Sequence, residues 1–421
     1  MDKKISVSII GCGSRGFTVY GRLMHRMPDK FEILSICDQN SDKLKNCGDE
    51  FGIAKENRFL SEEEFFGKKR SDLLVIATLD TDHIRMAGKA ILLGYKILLE
   101  KPISDNAEEL NELSRLAKEH SSFVMVCHVL RYTWANSTIM EVLKSGRLGK
   151  LIEINHTEQV GFWHFAHSYV RGNWRNTDVS APMIMAKSCH DLDLLQEYAG
   201  SPCKKLSSIG DLTWFKPQNA PEGAAERCIN CKYADSCAYS AKLKYITWWK
   251  EAGCPQCWPY NVLSAKPLTE EIVKDALKNG PYGRCVFACD NNVADNQLVQ
   301  MEFENGVRAT FNVTAFTKYL GRKTTFYLSG GVLAYDEGAN TITEMPFVGS
   351  DVVHEYNASD EFGHGGGDVG LVNALYSALT DENASVDTSL DNSIESHLMA
   401  IAAEQSRLAG GKTVEMKDLK N

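Results

Sequence analysis

Two groups of residues in this chain have the types and spacing for chemistry. The first is Gly11-Cys12-Gly13-Ser14-Arg15-Gly16, followed about 20 residues later by Asp38. The second is a crowd of cysteines: Cys228, Cys231, Cys237, Cys254, Cys257, Cys285 and Cys289. A G-x-G-x-x-G loop suits a dinucleotide. Gly11 allows the tight turn, Gly13 lets backbone approach a pyrophosphate, and Gly16 lets a helix pack close to a sheet. The helix N-terminus then offers free N–H groups, from Ser14 and Arg15 onward, to the phosphates. Asp38 would accept hydrogen bonds from ribose hydroxyls and repel a 2′-phosphate, so NAD is expected rather than NADP. Crowded thiols suggest metal before they suggest disulfides. Cys228-x2-Cys231-x5-Cys237 is expected to hold a structural zinc, with the fourth ligand open among Cys254, Cys257, Cys285 and Cys289. An iron–sulfur cluster and free buried thiols remain as alternatives.

These residues need elements to position them. Ile5–Ile10 reads as a strand entering the glycine loop, and a helix follows to about Met27. Phe31–Cys37 reads as a second strand ending at Asp38. Strands over 72–78, 95–99 and 123–127 alternate with helices over 83–93 and 107–120. Such alternation implies a doubly wound parallel sheet. Ligands bind beyond the carboxyl ends of such strands. Asp38, Thr78, Glu100, Lys101 and His128 fall at those ends. With His83 at the head of the next helix, Thr78, Glu100 and Lys101 join the expected cofactor contacts.

Composition sets the frame. The chain has 421 residues, 43% of them apolar and 24% charged, and a formal net charge of -9. The length suggests more than one domain. The acidic balance argues against nucleic-acid or anionic-membrane partners. The apolar runs are strand-sized, so no membrane span is expected. Only Ile5–Ile10 follows the charged start Met1-Asp2-Lys3-Lys4, too short for an export signal, and a cytoplasmic protein is expected.

At Glu100-Lys101-Pro102 the chain resembles the glucose–fructose oxidoreductase / inositol dehydrogenase / rhizopine-catabolism (Gfo/Idh/MocA) family. The likeness rests on the glycine fingerprint with Asp38, on Glu100-Lys101-Pro102, and on Ala186-Lys187-Ser188-Cys189-His190-Asp191-Leu192-Asp193. It implies a Rossmann domain over 1–127. An α+β domain with an open, mostly antiparallel sheet is expected over 128–421, carrying a Cys-rich insert near 215–266. It also implies NAD, a homodimer or homotetramer, and redox chemistry on a sugar, polyol or glycoside hydroxyl. By the same resemblance, Lys101 contacts the reacting hydroxyl, and His190 acts with an aspartate four residues earlier. Here that position is Ala186, and Lys187 follows it. If Lys187 and His190 share one helical face, Lys101, Lys187 and His190 converge as the acid/base set. Two lysines side by side would lower each other's proton affinity.

Substrate contacts are expected from the aromatic and histidine-rich stretch 156–174, namely His164, His167, Arg171 and Trp174, and from Arg131 and Tyr132. Gly363-His364-Gly365-Gly366-Gly367-Asp368 suggests backbone close to a ligand, with His364 and Asp368 offered to it. An alternative activity is an NAD-dependent glycosidase working by transient oxidation, elimination, water addition and re-reduction.

Overall fold

The computed structural model describes residues 4–356, 364–381 and 383–420. Met1 to Lys3 and Gly363 of the glycine-rich stretch lie outside them. Six strands form the first sheet: β1 (Ile5–Ile10), β2 (Phe31–Cys37), β3 (Arg58–Phe59), β4 (Leu73–Ile76), β5 (Lys96–Leu99) and β6 (Val124–Val126). Their order is β3-β2-β1-β4-β5-β6, and every pairing is parallel. Strands β4 and β6 are apolar throughout, and β5 is apolar after Lys96, because helices cover both faces. The order reverses between β1 and β4, which opens a crevice at their carboxyl ends. The Gly11 loop and Thr78 stand at that crevice.

The second sheet has nine strands. Four are central: β7 (Leu151–Gln159), β8 (Cys203–Asp211), β9 (Asn296–Phe303) and β10 (Arg308–Thr314). To one side lie β11 (Gly321–Leu328), β12 (Gly331–Asp336), β13 (Thr341–Pro346) and β14 (Val352–Glu355). At the other edge is β15 (Val414–Glu415). Only β7 and β10 pair in parallel; the other neighbours run antiparallel. Helices Cys189–Ala199 and Leu390–Leu408 cover one face. The opposite face leaves Ile152, Ile209, Leu298 and Tyr327 exposed.

Two features depart from the sequence expectations. The helix expected through Ala186–Asp193 is broken. Met183–Ala186 is one turn, and a new helix begins at Cys189, so Lys187 and His190 do not share one continuous helix. The apolar face of helix Gly367–Thr380 also returns to the first sheet. Leu371, Val372 and Leu375 join the core of Ile5, Val7 and Ile9. That return carries His364 and Asp368 to the glycine loop. No helix among the described residues is long and apolar enough to cross a membrane.

Candidate active site

The glycine loop has the shape the fingerprint requires. Gly11 has φ +94°, and a Cβ there would lie 2.4 Å from the Ala77 carbonyl oxygen. A Cβ on Gly16 would lie 2.0 Å from the Gly11 carbonyl oxygen. A Cβ on Gly13 would meet nothing within 4 Å. The space beside Gly13 is open where a pyrophosphate needs it, while Gly11 and Gly16 are pressed against the protein. A helix wound in the wide π form, Ser14–Gly21, follows. Asp38 accepts hydrogen bonds from the Cys12 N–H at 2.7 Å and the Asn40 N–H at 2.8 Å. It thereby ties the end of β2 to the loop. These residues fit a dinucleotide.

Arg15 does more than line the loop. Its guanidinium donates to Glu100 Oε1 and Asp368 Oδ1, each at 2.6 Å, and also to the Tyr20 hydroxyl. Tyr20 in turn donates to Glu100 Oε1 at 2.7 Å. Glu100 is buried, which would raise its carboxyl, but Arg15 and Lys101 outweigh burial and hold it below its ordinary value. Expected as cofactor contacts, Arg15 and Glu100 lock the loop to β5 and to helix Gly367–Thr380. His83 Nδ1 stands 2.7 Å from the Pro102 carbonyl oxygen, on the loop behind Lys101. Thr78 is half-buried beside Met86.

The Lys101 ammonium donates to the Ala186 carbonyl oxygen at 3.1 Å. This joins the end of β5 to the interrupted helix. Lys187 forms a 3.0 Å ion pair with Glu158 of β7. Its counter-charge is therefore supplied by the protein. Glu158 also meets Arg322 at 2.9 Å, and Arg322 donates to Asp191 at 2.7 Å. Asp191 lies 3.0 Å from His156 Nε2. Burial alone would raise Asp191, but Arg322 and His156 outweigh it and hold the carboxyl low. Burial raises Glu158, against Arg322 and Lys187.

His190 lies between His128 and His364, with ring centroids 5.7 Å and 6.1 Å away. Burial, then Lys101 and His128, push its proton affinity well below the ordinary value, so it is neutral at neutral pH. Its Nδ1, both His128 nitrogens and Ser188 Oγ are buried with no hydrogen-bond partner among the described residues. Room for ordered water is expected at such a group. His364 Nδ1 is 2.9 Å from Asp368 Oδ2, and its side chain is 40% exposed, so the ring reaches the opening. Burial would raise the Asp368 carboxyl, but Arg15 and His364 outweigh it and keep it ionised. Ala186 offers His190 no carboxylate, and the carboxylate of Asp368, from the far end of the chain, pairs with His364 instead.

The other residues expected to contact substrate have protein partners as follows. Arg131 is held by Asp193 at 2.7 Å and 2.8 Å and faces Glu197. It fastens the end of β6 to helix Cys189–Ala199. The Tyr132 hydroxyl is 3.0 Å from Thr388 Oγ1. His167 Nδ1 is 2.6 Å from the Tyr245 hydroxyl and its ring stacks on Tyr282, with burial pulling it down to about 3. Trp174 packs near Tyr169. Arg171 is buried and donates to the Arg284 and Tyr239 carbonyl oxygens, both at 2.7 Å. His164 is half-buried against Trp258, beside Trp163. The Lys244 ammonium stands 3.4 Å from the Trp163 ring centroid, and burial lowers it to about 8.

The zinc expected on Cys228, Cys231 and Cys237 is not supported. Among the described residues no three His, Cys, Asp or Glu side chains come together to hold an ion. The three thiols stand around a cavity instead of meeting at one point. Cys254 and Cys257 are exposed. Sequence reading missed Glu158, Arg322 and His397, whose Nε2 accepts from the Ile103 N–H at 2.9 Å beside the His128 ring. Glu158 had a signal, since it shares the inward-facing alternation of Ile154 and His156 along β7. A charge on a core-facing position requires a partner.

A parallel sheet of this order, with a glycine fingerprint open at Gly13 and a lysine–histidine cluster beyond its strand ends, defines a dinucleotide-dependent oxidoreductase. Family comparison agrees. Residues 5–128 match the oxidoreductase family NAD-binding Rossmann fold, and residues 140–328 match that family's C-terminal alpha/beta domain. The chain belongs to the Gfo/Idh/MocA oxidoreductase family. A Bacillus subtilis protein described as an oxidoreductase, YteT, is 21% identical over 88% of each chain. The scyllo-inositol 2-dehydrogenase (NADP(+)) IolW of Bacillus subtilis is 25% identical over 42% of this chain and 47% of its own. Among solved structures, an oxidoreductase from Agrobacterium radiobacter in complex with NAD+, L-tartaric acid and magnesium superposes with TM-score 0.70. It is 16% identical and covers 99% of this chain and 100% of its own. The WlbA dehydrogenase of Bordetella pertussis, in complex with NADH and UDP-GlcNAcA, gives 0.68 at 16% identity, over 98% and 99%.

Proposed function

We propose that the protein oxidises or reduces a hydroxyl of a sugar, polyol or glycoside, with NAD as the hydride partner. The observation that carries this is the meeting of Lys101, His190 and His364 beside the dinucleotide crevice. Nicotinamide supplies the hydride chemistry. The chain must hold the alcohol and move its proton. Lys101, anchored on the Ala186 carbonyl, is placed to hold the reacting oxygen. His190 is neutral and can accept a proton. Lys187, neutralised by Glu158, positions β7 against the interrupted helix and remains a candidate substrate anchor.

A glycosidase that oxidises, eliminates, adds water and re-reduces needs a second acid/base group. The His364–Asp368 pair favours keeping that reading. One experiment separates the two. The purified chain is given NAD and a panel of nitrophenyl glycosides, and reduced nicotinamide and nitrophenolate are followed together. Reduced cofactor without nitrophenolate is the expected result for a dehydrogenase. Nitrophenolate without net reduction establishes the glycosidase. Neither signal, on these or on free sugars and polyols, overturns both. The open face with Ile152, Ile209 and Leu298 supports self-association, which sedimentation would test.

A further inference from the structure

A cavity of about 150 Å³ lies between helix Cys189–Ala199 and strands β11 and β12, and its lining belongs to the described residues. That is room for a six-membered ring rather than for waters alone. Two residues tie it to the lysine–histidine cluster. His364 lines the cavity, and its ring centroid stands 6.1 Å from that of His190. Arg322 lines it too, and donates to Asp191, the residue next to His190. His364 has φ +55°, an uncommon angle for a residue with a Cβ, and its ring is held by Asp368. Backbone of that kind persists where it places a side chain for function.

The lining has the chemistry of a carbohydrate subsite. Tyr198, Tyr335 and Tyr356 bring aromatic rings to it, and Asn340 adds an amide at the exposed rim. The Tyr335 and Tyr356 hydroxyls lie 3.2 Å apart, and Trp134 backs the Tyr356 ring, with centroids 4.8 Å apart. Tyr198 is the independent observation. It is 5% exposed and lines the cavity, and its hydroxyl has no hydrogen-bond partner among the described residues. A buried hydroxyl left unpaired is unfavourable, so a group entering the cavity is needed to meet it. Charge then selects the ligand. Among the described residues of the lining, Arg322 carries the one permanent positive charge, and it is spent on Glu158, Asp191 and Glu337. No ammonium or guanidinium is left there for a carboxylate or a phosphate.

We propose that this cavity is a second sugar subsite, which takes the neutral ring next to the one oxidised or reduced, so that the substrate is a glycoside of at least two rings. The proposal rests on the reading of Lys101 and His190 as the place where a sugar hydroxyl reacts. The reacting ring lies there, the glycosidic link passes His364, and the second ring packs beside Tyr356 with a hydroxyl at Tyr198.

The test is calorimetric titration of the full chain, loaded with NAD, with matched probes. Glucose is compared with maltose and cellobiose, galactose with β-1,4-galactobiose, and mannose with β-1,4-mannobiose, and NADH formation is followed separately. One disaccharide is expected to bind at least about tenfold more tightly than its monosaccharide. Tyr198→Phe, which removes one hydroxyl, should reduce that ratio about fivefold. Tyr356→Ala should reduce it about tenfold. No gain in any pair, no binding by any probe, or a ratio unchanged in both variants overturns the subsite. A gain for cellobiouronic acid over glucose overturns its neutral character. The two readings fail separately. A ratio lost in the variants, without NADH from any probe, supports the subsite and overturns the redox reading; NADH with equal affinities does the reverse. If Tyr356→Ala fails to fold, Tyr198→Phe still decides.

Discussion

The cofactor loop and the lysine–histidine cluster lie side by side but are built in opposite ways. The loop is contiguous: Gly11 to Gly16 does its work within one strand–turn–helix, with Asp38 at the adjoining strand. The cluster draws Lys101 from β5, Lys187 and His190 from either side of a helix break, and His364 from a turn some 170 residues further on. A contiguous site tolerates change elsewhere and fails when its own backbone is crowded. An assembled site is exposed to every contact that holds its pieces together. Arg15 joins the two, with one hydrogen bond to Glu100 behind Lys101 and one to Asp368 behind His364.

Several substitutions would break or sharpen this contrast. The largest effect belongs to the cluster. Lys101→Met should lower kcat/KM by about 10³-fold, within the range for a lost acid/base group, while NADH fluorescence titration shows unchanged cofactor affinity. Equal loss of both would show that the two sites are not separable. Next come the glycines. Gly16→Ala places its Cβ on the Gly11 carbonyl oxygen and should cost about 3 kcal/mol in urea unfolding, the upper end of overpacking. Gly13→Ala meets no protein atom, so it should leave unfolding unchanged and weaken NAD alone. Asp368→Asn removes the carboxylate shared by Arg15 and His364. It should cost about 2 kcal/mol of stability and lower kcat more than it changes NAD affinity.

Acid should reach the histidines before the carboxylates. His128, His164, His167, His190 and His397 are all held below their ordinary values, chiefly by burial. A group with a lowered folded value binds its proton more readily when unfolded, so stability falls as pH drops through the unfolded value of about 6.5. The melting temperature should therefore decline between about pH 7 and about pH 5, before Asp191, Asp193 and Asp368 contribute near about pH 4. A flat profile over that interval would mean that the histidines are solvated. The smallest effect is expected at the surface: Cys254→Ser should stay within about 0.5 kcal/mol of wild type.

Much of the first sheet was legible because parallel strands covered on both faces must be apolar runs, and because glycine spacing reports backbone geometry directly. Leu73–Ile76 and Lys96–Leu99 fall where their composition places them. The helix break at Lys187–Ser188 was not legible. Its residues are ordinary helix formers, and a tertiary pair, Lys187 with Glu158, holds the turn open. The protein partners of Arg131 and Arg171 were not legible, because a charged residue carries no mark of its partner. Their actual partners lie 62 and more than 50 residues away.

What the sequence determined alone is what depends on neighbours along the chain: the glycine turn, the strand and helix alternation, the acid at the end of β2, and thereby a dinucleotide-binding domain. Tertiary structure decided which charges neutralise each other and which are left for chemistry. It put Asp368 behind His364, spent Arg131 on Asp193, paired Lys187, and chose Cys285 from among the other cysteines to face Cys228, Cys231 and Cys237. The reason is physical. Backbone conformation is set by local sterics within a few residues, whereas a buried charge is settled by whichever group folding brings within hydrogen-bonding distance.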